Sequence, residues 1–333
     1  MIPATEMEHR RTCGLGSSDQ FKVMNLALQF FLISGVFLLI SMQAAPVPNS
    51  AVRPVAGVER VAIVSLDGLR PDLLLLAEAP TLHRLLRSGA YSMWARTTAT
   101  AVTLPSHTSM LTGVSPNRHG IEWNTDLPLR IPVFPNVPTI FEIGTKAGLV
   151  CTFVAGKSKL SVLNKPGTVA HAFLPNGKDG NNAWVVTAAQ AALALAVPDI
   201  GFFHFPDIDA TGHANGWGSP EQLASIAATD SQLSAVLAAY ERAGALAKTV
   251  FIITSDHGGA GRGHGHVGPD DGRSRFIPWI VHGPGVRAGF DLTQLGRLQI
   301  DTEDTAATVC WLLGLPLLPH LEGKPISDAF VTK

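Results

Sequence analysis

The chain has 333 residues, room for one large or two small domains at ~150 residues each. With 46% hydrophobic and only 15% charged residues it is not a disordered chain, and a net charge of −1 excludes capture of nucleic acid by bulk charge. Three cysteines (Cys13, Cys151, Cys310) are too few for a disulfide scaffold or a cysteine-rich zinc module; Cys151 and Cys310 either pair or are buried singly. Residues 26–40 carry no charge and follow Arg10, Arg11 and Lys22, with a small-residue exit near Ala44 and Ala45. That order predicts a signal peptide over 1–45, with an uncleaved signal anchor as the alternative, because a membrane span needs ~20 apolar residues. The expected address is export, to the periplasm or the medium. Residues 46–58, rich in Pro, Val and Ala, read as a linker, and 59–333 as a single catalytic domain.

Within that domain, residues 60–67 form an apolar run ending in Asp-Gly, the pattern of a buried strand with an acid at its C-terminal end. Helices are predicted over 80–87, 105–112 and 139–146, a strand over 149–154, and a loop over 156–182. An Ala-rich helix over 182–195, a strand over 199–205 and a long helix over 220–246 follow. Strands over 249–254 and 276–281 and a helix over 304–315 complete the pattern. Strands alternate with helices, so the expected fold is α/β, a largely parallel central sheet flanked by helices on both faces. Asp67, Asp209 and Asp256 each follow an apolar strand within a few residues. Ligand sites of such sheets form outside the C-terminal strand ends, so three strands can deliver three carboxylates to one crevice.

Four segments carry the chemistry: Ser-Leu-Asp67-Gly, Thr103-Leu-Pro-Ser-His, Asp209-Ala-Thr-Gly-His213 and Ser-Asp256-His257-Gly. Gly263-His264-Gly265-His266 is a fifth. Mixed Asp and His ligation at strand ends suits a divalent metal, zinc before manganese or iron. A hydroxyl beside two such ions can serve as a nucleophile.

In these segments the chain resembles the alkaline phosphatase superfamily, and within it the nucleotide pyrophosphatase/phosphodiesterase (type I phosphodiesterase) family, over about residues 61–325. The resemblance implies that Thr103, in Thr-x-Pro-x-His, is the nucleophile, bound to zinc and phosphorylated during turnover. It implies that Asn124, in His119-Gly-Ile-Glu-Trp-Asn124, binds the non-bridging phosphate oxygen; its separation from Thr103 fits the family pattern. It implies two divalent ions, Zn2+ or Mn2+. One is held by Asp67, Thr103, Asp256 and His257, the other by Asp209, His213 and a third histidine. The run Gly259-Ala-Gly261-Arg-Gly-His264-Gly265 assigns that third place to His264, with His266 next and His282 and His320 as outsiders. The implied substrate is a small phosphodiester, of nucleotide or lipid-headgroup type.

Ser106 departs from the usual Asn before the motif histidine and stands as a competing hydroxyl. It also occurs in sulfatase-like relatives, which need Cys or Ser at position 103. Alternatives on the same site are a phosphomonoesterase or phosphonate hydrolase, a phosphoryl-group transferase, and a non-catalytic binding relative. A monoester site needs an extra cation, for which Lys157, Lys159 and Arg262 are candidates. Trp123, Phe134 and Trp217 are candidate faces for a base or an alkyl leaving group. Asp207 has the wrong spacing to pair with His213, and His107 and His119 are expected to be structural.

Overall fold

A computed structural model describes residues 53–125, 133–263, 266, 270–296 and 298–332. The expected signal segment, and His264 with its neighbour Gly265, lie outside them. Among the described residues eight strands form one sheet: β1 (Arg60–Leu66), β2 (Ala90–Arg96), β3 (Cys151–Ala155), β4 (His171–Phe173), β5 (Ile200–Phe205), β6 (Thr249–Thr254), β7 (Phe276–His282) and β8 (Phe290–Asp291). Their spatial order is β4-β3-β5-β1-β6-β7-β2-β8. All neighbours pair in parallel except β7, which runs antiparallel to both β6 and β2.

Helices of seven or more residues are α1 (Pro80–Ser88), α2 (Thr103–Thr112), α3 (Ile140–Lys146), α4 (Asn182–Leu195), α5 (Asp207–Asn215), α6 (Pro220–Arg242) and α7 (Asp304–Leu313). Successive residues of β1 point to opposite faces of the sheet. Val61 and Ile63 join a core with Leu104 and Met110 of α2, Phe141 of α3 and Val309 of α7. Ala62, Val64 and Leu66 join a second core with Leu82 of α1, Val185 of α4 and Ile226 of α6. Both faces are covered, which is why the central strands read as continuous apolar runs. Val55 and Val58, in the stretch expected to be linker, are buried in the first core.

The departures from the expected elements have local causes. The 156–182 stretch is not all loop: it holds a 3-10 turn (Ser158–Leu163) and β4. β2, Ala-Tyr-Ser-Met-Trp-Ala-Arg, has no β-branched residue, and α5 lacks apolar periodicity, so neither stands out in the sequence. The long helix stops at Arg242 rather than 246 because Gly244 turns the chain at φ +67° and Ala245 N–H closes on the Tyr240 carbonyl. Cys151 and Cys310 are both buried free thiols. Burial pushes Cys151 up to about 11 and Cys310 up to about 12.

Candidate active site

Four adjacent strands, β3, β5, β1 and β6, end at one crevice. Lys157 follows β3, Asp209 follows β5 on the first turn of α5, Asp67 follows β1, and Asp256 and His257 follow β6. The chain leaves β1 through Gly68 at φ +77°, where a Cβ would stand 2.9 Å from the Cα of Asp209 and close to Trp217. Only glycine lets β1 and α5 approach so closely. On α5 the four-residue step from Asp209 to His213 puts both side chains on one face. His213 Nε2 lies 3.1 Å from Asp209 Oδ1, and its Nδ1 donates to the Gly263 carbonyl at 2.6 Å.

Thr103 is the first residue of α2 and is 1% exposed. Ala101, two residues earlier, holds φ +33°, a conformation that costs an L-residue ~1–3 kcal/mol. That turn aims the helix start into the crevice. Of the first three positions of α2, Leu104 N–H is claimed by Asn124 Oδ1 at 3.0 Å and Pro105 has no N–H. The Thr103 N–H is therefore the donor left for an anion at this helix end. Asn124 Oδ1 also accepts from Lys159 Nζ at 3.1 Å, which leaves the amide Nδ2 as its donating end. Thr103 Oγ1 lies 3.3 Å from Lys157 Nζ and 3.4 Å from His257 Nε2.

Asp67, Asp256 and His257 are 0% exposed and Asp209 is 3% exposed. One oxygen of each carboxylate is anchored. Lys157 Nζ contacts Asp67 Oδ2 at 2.7 Å and Asp209 Oδ2 at 2.5 Å, and Gly68 N–H donates to Asp256 Oδ1 at 3.2 Å. The other oxygens, Asp67 Oδ1, Asp209 Oδ1 and Asp256 Oδ2, are buried with no hydrogen bond, and so is His266 Nδ1. His257 Nδ1 donates to the Gly258 carbonyl at 3.0 Å, so a neutral ring turns its Nε2 lone pair inward. That lone pair stands 3.2 Å from Asp256 Oδ2 and 3.4 Å from Asp67 Oδ1. Buried carboxylate oxygens without a hydrogen bond, converging on a ring nitrogen, are unfavourable unless a cation sits between them. Among the described residues two groups have this form, Asp67–Asp256–His257 and Asp209–His257–His266; they share His257, whose one free nitrogen serves a single ion. The residues therefore fit a pair of divalent ions, and the mixed oxygen and imidazole donors suit zinc.

The three carboxylates differ. Burial and the charge of Asp67 push Asp256 well above the usual carboxylate range. Burial also opposes the charge of Asp67, but Lys157 and His204 outweigh it and hold Asp67 well below that range. Asp209 is likewise lowered, with Lys157 and His213 overcoming burial and the repulsion of Asp67. Burial disfavours the charge of Lys157, but Asp209, Asp67 and Asp256 together raise it above its ordinary value, so it stays an ammonium.

The crevice thus brings together Asp67, Thr103, Asn124, Asp209, His213, Asp256 and His257. His264 lies outside the described residues; His266, second choice for the third histidine, stands at the Asp209 end, its ring 4.5 Å from that of His257. Ser106 is turned away and tied to Thr97 Oγ1 at 2.6 Å and Thr98 Oγ1 at 3.0 Å. Asp207 is tied to Asn182, not to the crevice. His119 accepts from Ile121 N–H at 3.0 Å and is pushed down to about 4 by burial. Trp217 is not a free stacking face: it is buried against Gly68, Gly212 and Gly259, beneath the histidines.

Two further histidines support the site: His204, to which the sequence gives no role, and His107, expected to be structural. His204 Nε2 donates to Asp67 Oδ2 at 2.8 Å while its Nδ1 accepts from Gly156 N–H at 3.2 Å, which settles its tautomer. His107 Nδ1 donates to the Thr103 carbonyl and its Nε2 accepts from Ser65, both at 2.7 Å. A signal for His204 is its place in the run Phe202-Phe203-His204-Phe205 of β5, in register with Ser65 of β1.

A model of the type I phosphodiesterase/nucleotide pyrophosphatase family matches residues 61–130 and 162–262, just over half of the chain. Arylsulfatase K of Danio rerio is 36% identical over 106 residues, 31% of this chain and 19% of that protein. GPI ethanolamine phosphate transferase 1 of Emericella nidulans is 29% identical over 153 residues, 38% of this chain and 16% of that protein. These alignments span less than a fifth of either relative's length. Among solved structures, murine ectonucleotide pyrophosphatase/phosphodiesterase 5, in an inactive form bound to AMP, superposes with a TM-score of 0.65. That match has 17% identity and covers 82% of this chain and 100% of the other, which establishes a common fold. By its fold and its family match, the chain belongs to the type I phosphodiesterase/nucleotide pyrophosphatase family, within the alkaline phosphatase superfamily.

Proposed function

We propose that the protein is an exported, two-metal phosphodiesterase that uses Thr103 as its nucleophile. One observation carries this reading. The buried Thr103 hydroxyl stands at a helix N-terminus beside His257 and Lys157, among three buried carboxylates that each keep one oxygen without a hydrogen bond. Two divalent ions, one held by Asp67, Asp256 and His257 and the other by Asp209, His213 and His266, zinc before manganese, would lower the pKa of the threonine hydroxyl and screen the substrate's charge. The chain's own groups do the rest. The Thr103 N–H and Asn124 Nδ2 donate to a non-bridging phosphate oxygen, whose charge grows as Thr103 Oγ1 adds to phosphorus. The bond to the leaving alcohol breaks, and that oxygen leaves with a proton. Water then cleaves the phosphothreonine, restoring Thr103 and releasing a phosphomonoester. His107 holds the Thr103 carbonyl and Ser65, which keeps the helix start in place.

A position-103 threonine cannot become the aldehyde that sulfatases use, so the likeness to an arylsulfatase supports the scaffold and not sulfatase chemistry. The AMP bound by the murine neighbour supports a nucleotide-type diester as the first substrate to try. The charge-free run at 26–40 supports export. The test is hydrolysis of an aryl phosphodiester by zinc-loaded protein. Thr103→Ala is expected to bind the same zinc and lose at least ~1,000-fold in kcat. Undiminished turnover in that variant removes Thr103 from the reaction.

A further inference from the structure

The ammonium of Lys157 is placed as a third cationic centre of the crevice. It is 6% exposed, reaches the Oδ2 atoms of Asp67 and Asp209, and stands 3.3 Å from Thr103 Oγ1. It takes only the outer oxygen of each aspartate. Asp67 Oδ1 and Asp209 Oδ1, the atoms aimed at His257, stay without a hydrogen bond. Lys157 and two metal ions can therefore be held together, from opposite oxygens of the same carboxylates.

Formal charge then gives the consequence. Three carboxylates and two divalent ions leave one positive charge, the match for a phosphodiester monoanion. Lys157 raises this to two, the match for a phosphoryl dianion. Lys159 keeps its own charge, but its Nζ is held at Asn124, by Oδ1 and by the carbonyl, whereas Lys157 Nζ lies beside Thr103 Oγ1. Arg262 is exposed, with its side chain against Gly216.

We propose that Lys157 contacts the substrate's phosphoryl oxygens and fits this site to dianionic phosphate groups, so that it accepts phosphomonoesters as well as diesters. The proposal rests on the reading of Thr103 as nucleophile, since the ammonium lies beside that hydroxyl. It concerns ground-state charge matching, so binding tests it without turnover. Zinc-loaded wild-type protein and Lys157→Gln would be titrated by calorimetry at pH 8 with inorganic phosphate, a dianion there, and with dimethyl phosphate, a monoanion. Zinc content would be measured alongside.

Lys157→Gln is expected to weaken phosphate binding about 10- to 100-fold, the worth of a charged hydrogen bond, and dimethyl phosphate binding less than about fivefold. Lys157→Arg, which keeps the charge, should retain the wild-type ratio of the two affinities within about fivefold. Equal weakening of both anions, no weakening of phosphate, or loss of zinc from Lys157→Gln would each overturn the proposal. The last result would make Lys157 a clamp on the carboxylates instead. Failure of the underlying reading looks different: Thr103→Ala would keep turning over, with the phosphate to dimethyl phosphate ratio unaltered.

Discussion

Asp256→Asn should reverse its effect on stability according to whether metal is present. Asp256 is 0% exposed, and its Oδ2 has no hydrogen bond while facing Asp67 and the inward lone pair of His257. An asparagine of the same shape keeps an oxygen for Gly68 N–H and turns an amide N–H toward His257 Nε2. In chelator the substitution relieves a buried, unpaired negative oxygen, a group worth about 1–3 kcal/mol. The raised pKa of Asp256 adds a pH signature. Its contribution to stability is complete below the unfolded carboxylate pKa and is lost as pH rises through the higher folded value, so the advantage of Asn should widen from pH 6 to pH 9. At about 2 °C per kcal/mol for a domain of this size, the melting temperature in chelator should rise by about 2–6 °C. With zinc at a thousand times its dissociation constant, wild type gains about 4 kcal/mol by mass action. The variant, missing one candidate ligand, gains less, so the order of the two proteins reverses. Scanning calorimetry of both proteins, with chelator and with zinc at each pH, reads all of this. A variant destabilised in chelator, or one with the full zinc shift, would refute the argument that these lone pairs converge on a cation.

Two other expectations follow, one from a residue behind Asp67 and one from the start of α7. His204→Ala removes the donor that holds Asp67 Oδ2 and should weaken zinc affinity about 10–100-fold in a chelator competition; unchanged affinity would show that Asp67 needs no such support. Burial, with Asp301 and Asp304 nearby, raises Glu303 to about 7, so the stability it allows is complete below the unfolded glutamate pKa and is lost as pH rises through 7. Glu303→Gln should therefore stabilise the protein by about 1–2 kcal/mol at pH 8, after allowance for its partial exposure, and leave it unchanged at pH 4; equal urea midpoints for the two proteins at pH 8 would count against a buried charge there.

The candidate residues that meet in the crevice were legible because each is bound to a short local rule. An apolar run ending in Asp67-Gly68 or Asp256-His257 is a strand that delivers an acid at its end. A hydroxyl before Leu-Pro105 opens a helix, and Asp209 and His213 are one turn apart. Such rules read positions within a segment, and the parallel order of strands follows from their alternation with helices. What the linear chain does not carry is which oxygen or nitrogen of each side chain is already satisfied. That Lys157 holds the outer oxygens of Asp67 and Asp209, that His204 reaches Asp67 from β5, and that Trp217 lies beneath the histidines rather than open to a ligand, all depend on contacts between residues far apart in sequence. The reversal of β7 against β6 is of the same kind, since its apolar pattern is the same in either direction. Sequence alone determined which residues are candidates for the chemistry; the tertiary structure decided which of their atoms are left without a partner, because hydrogen bonds and burial are set by packing and not by local propensity.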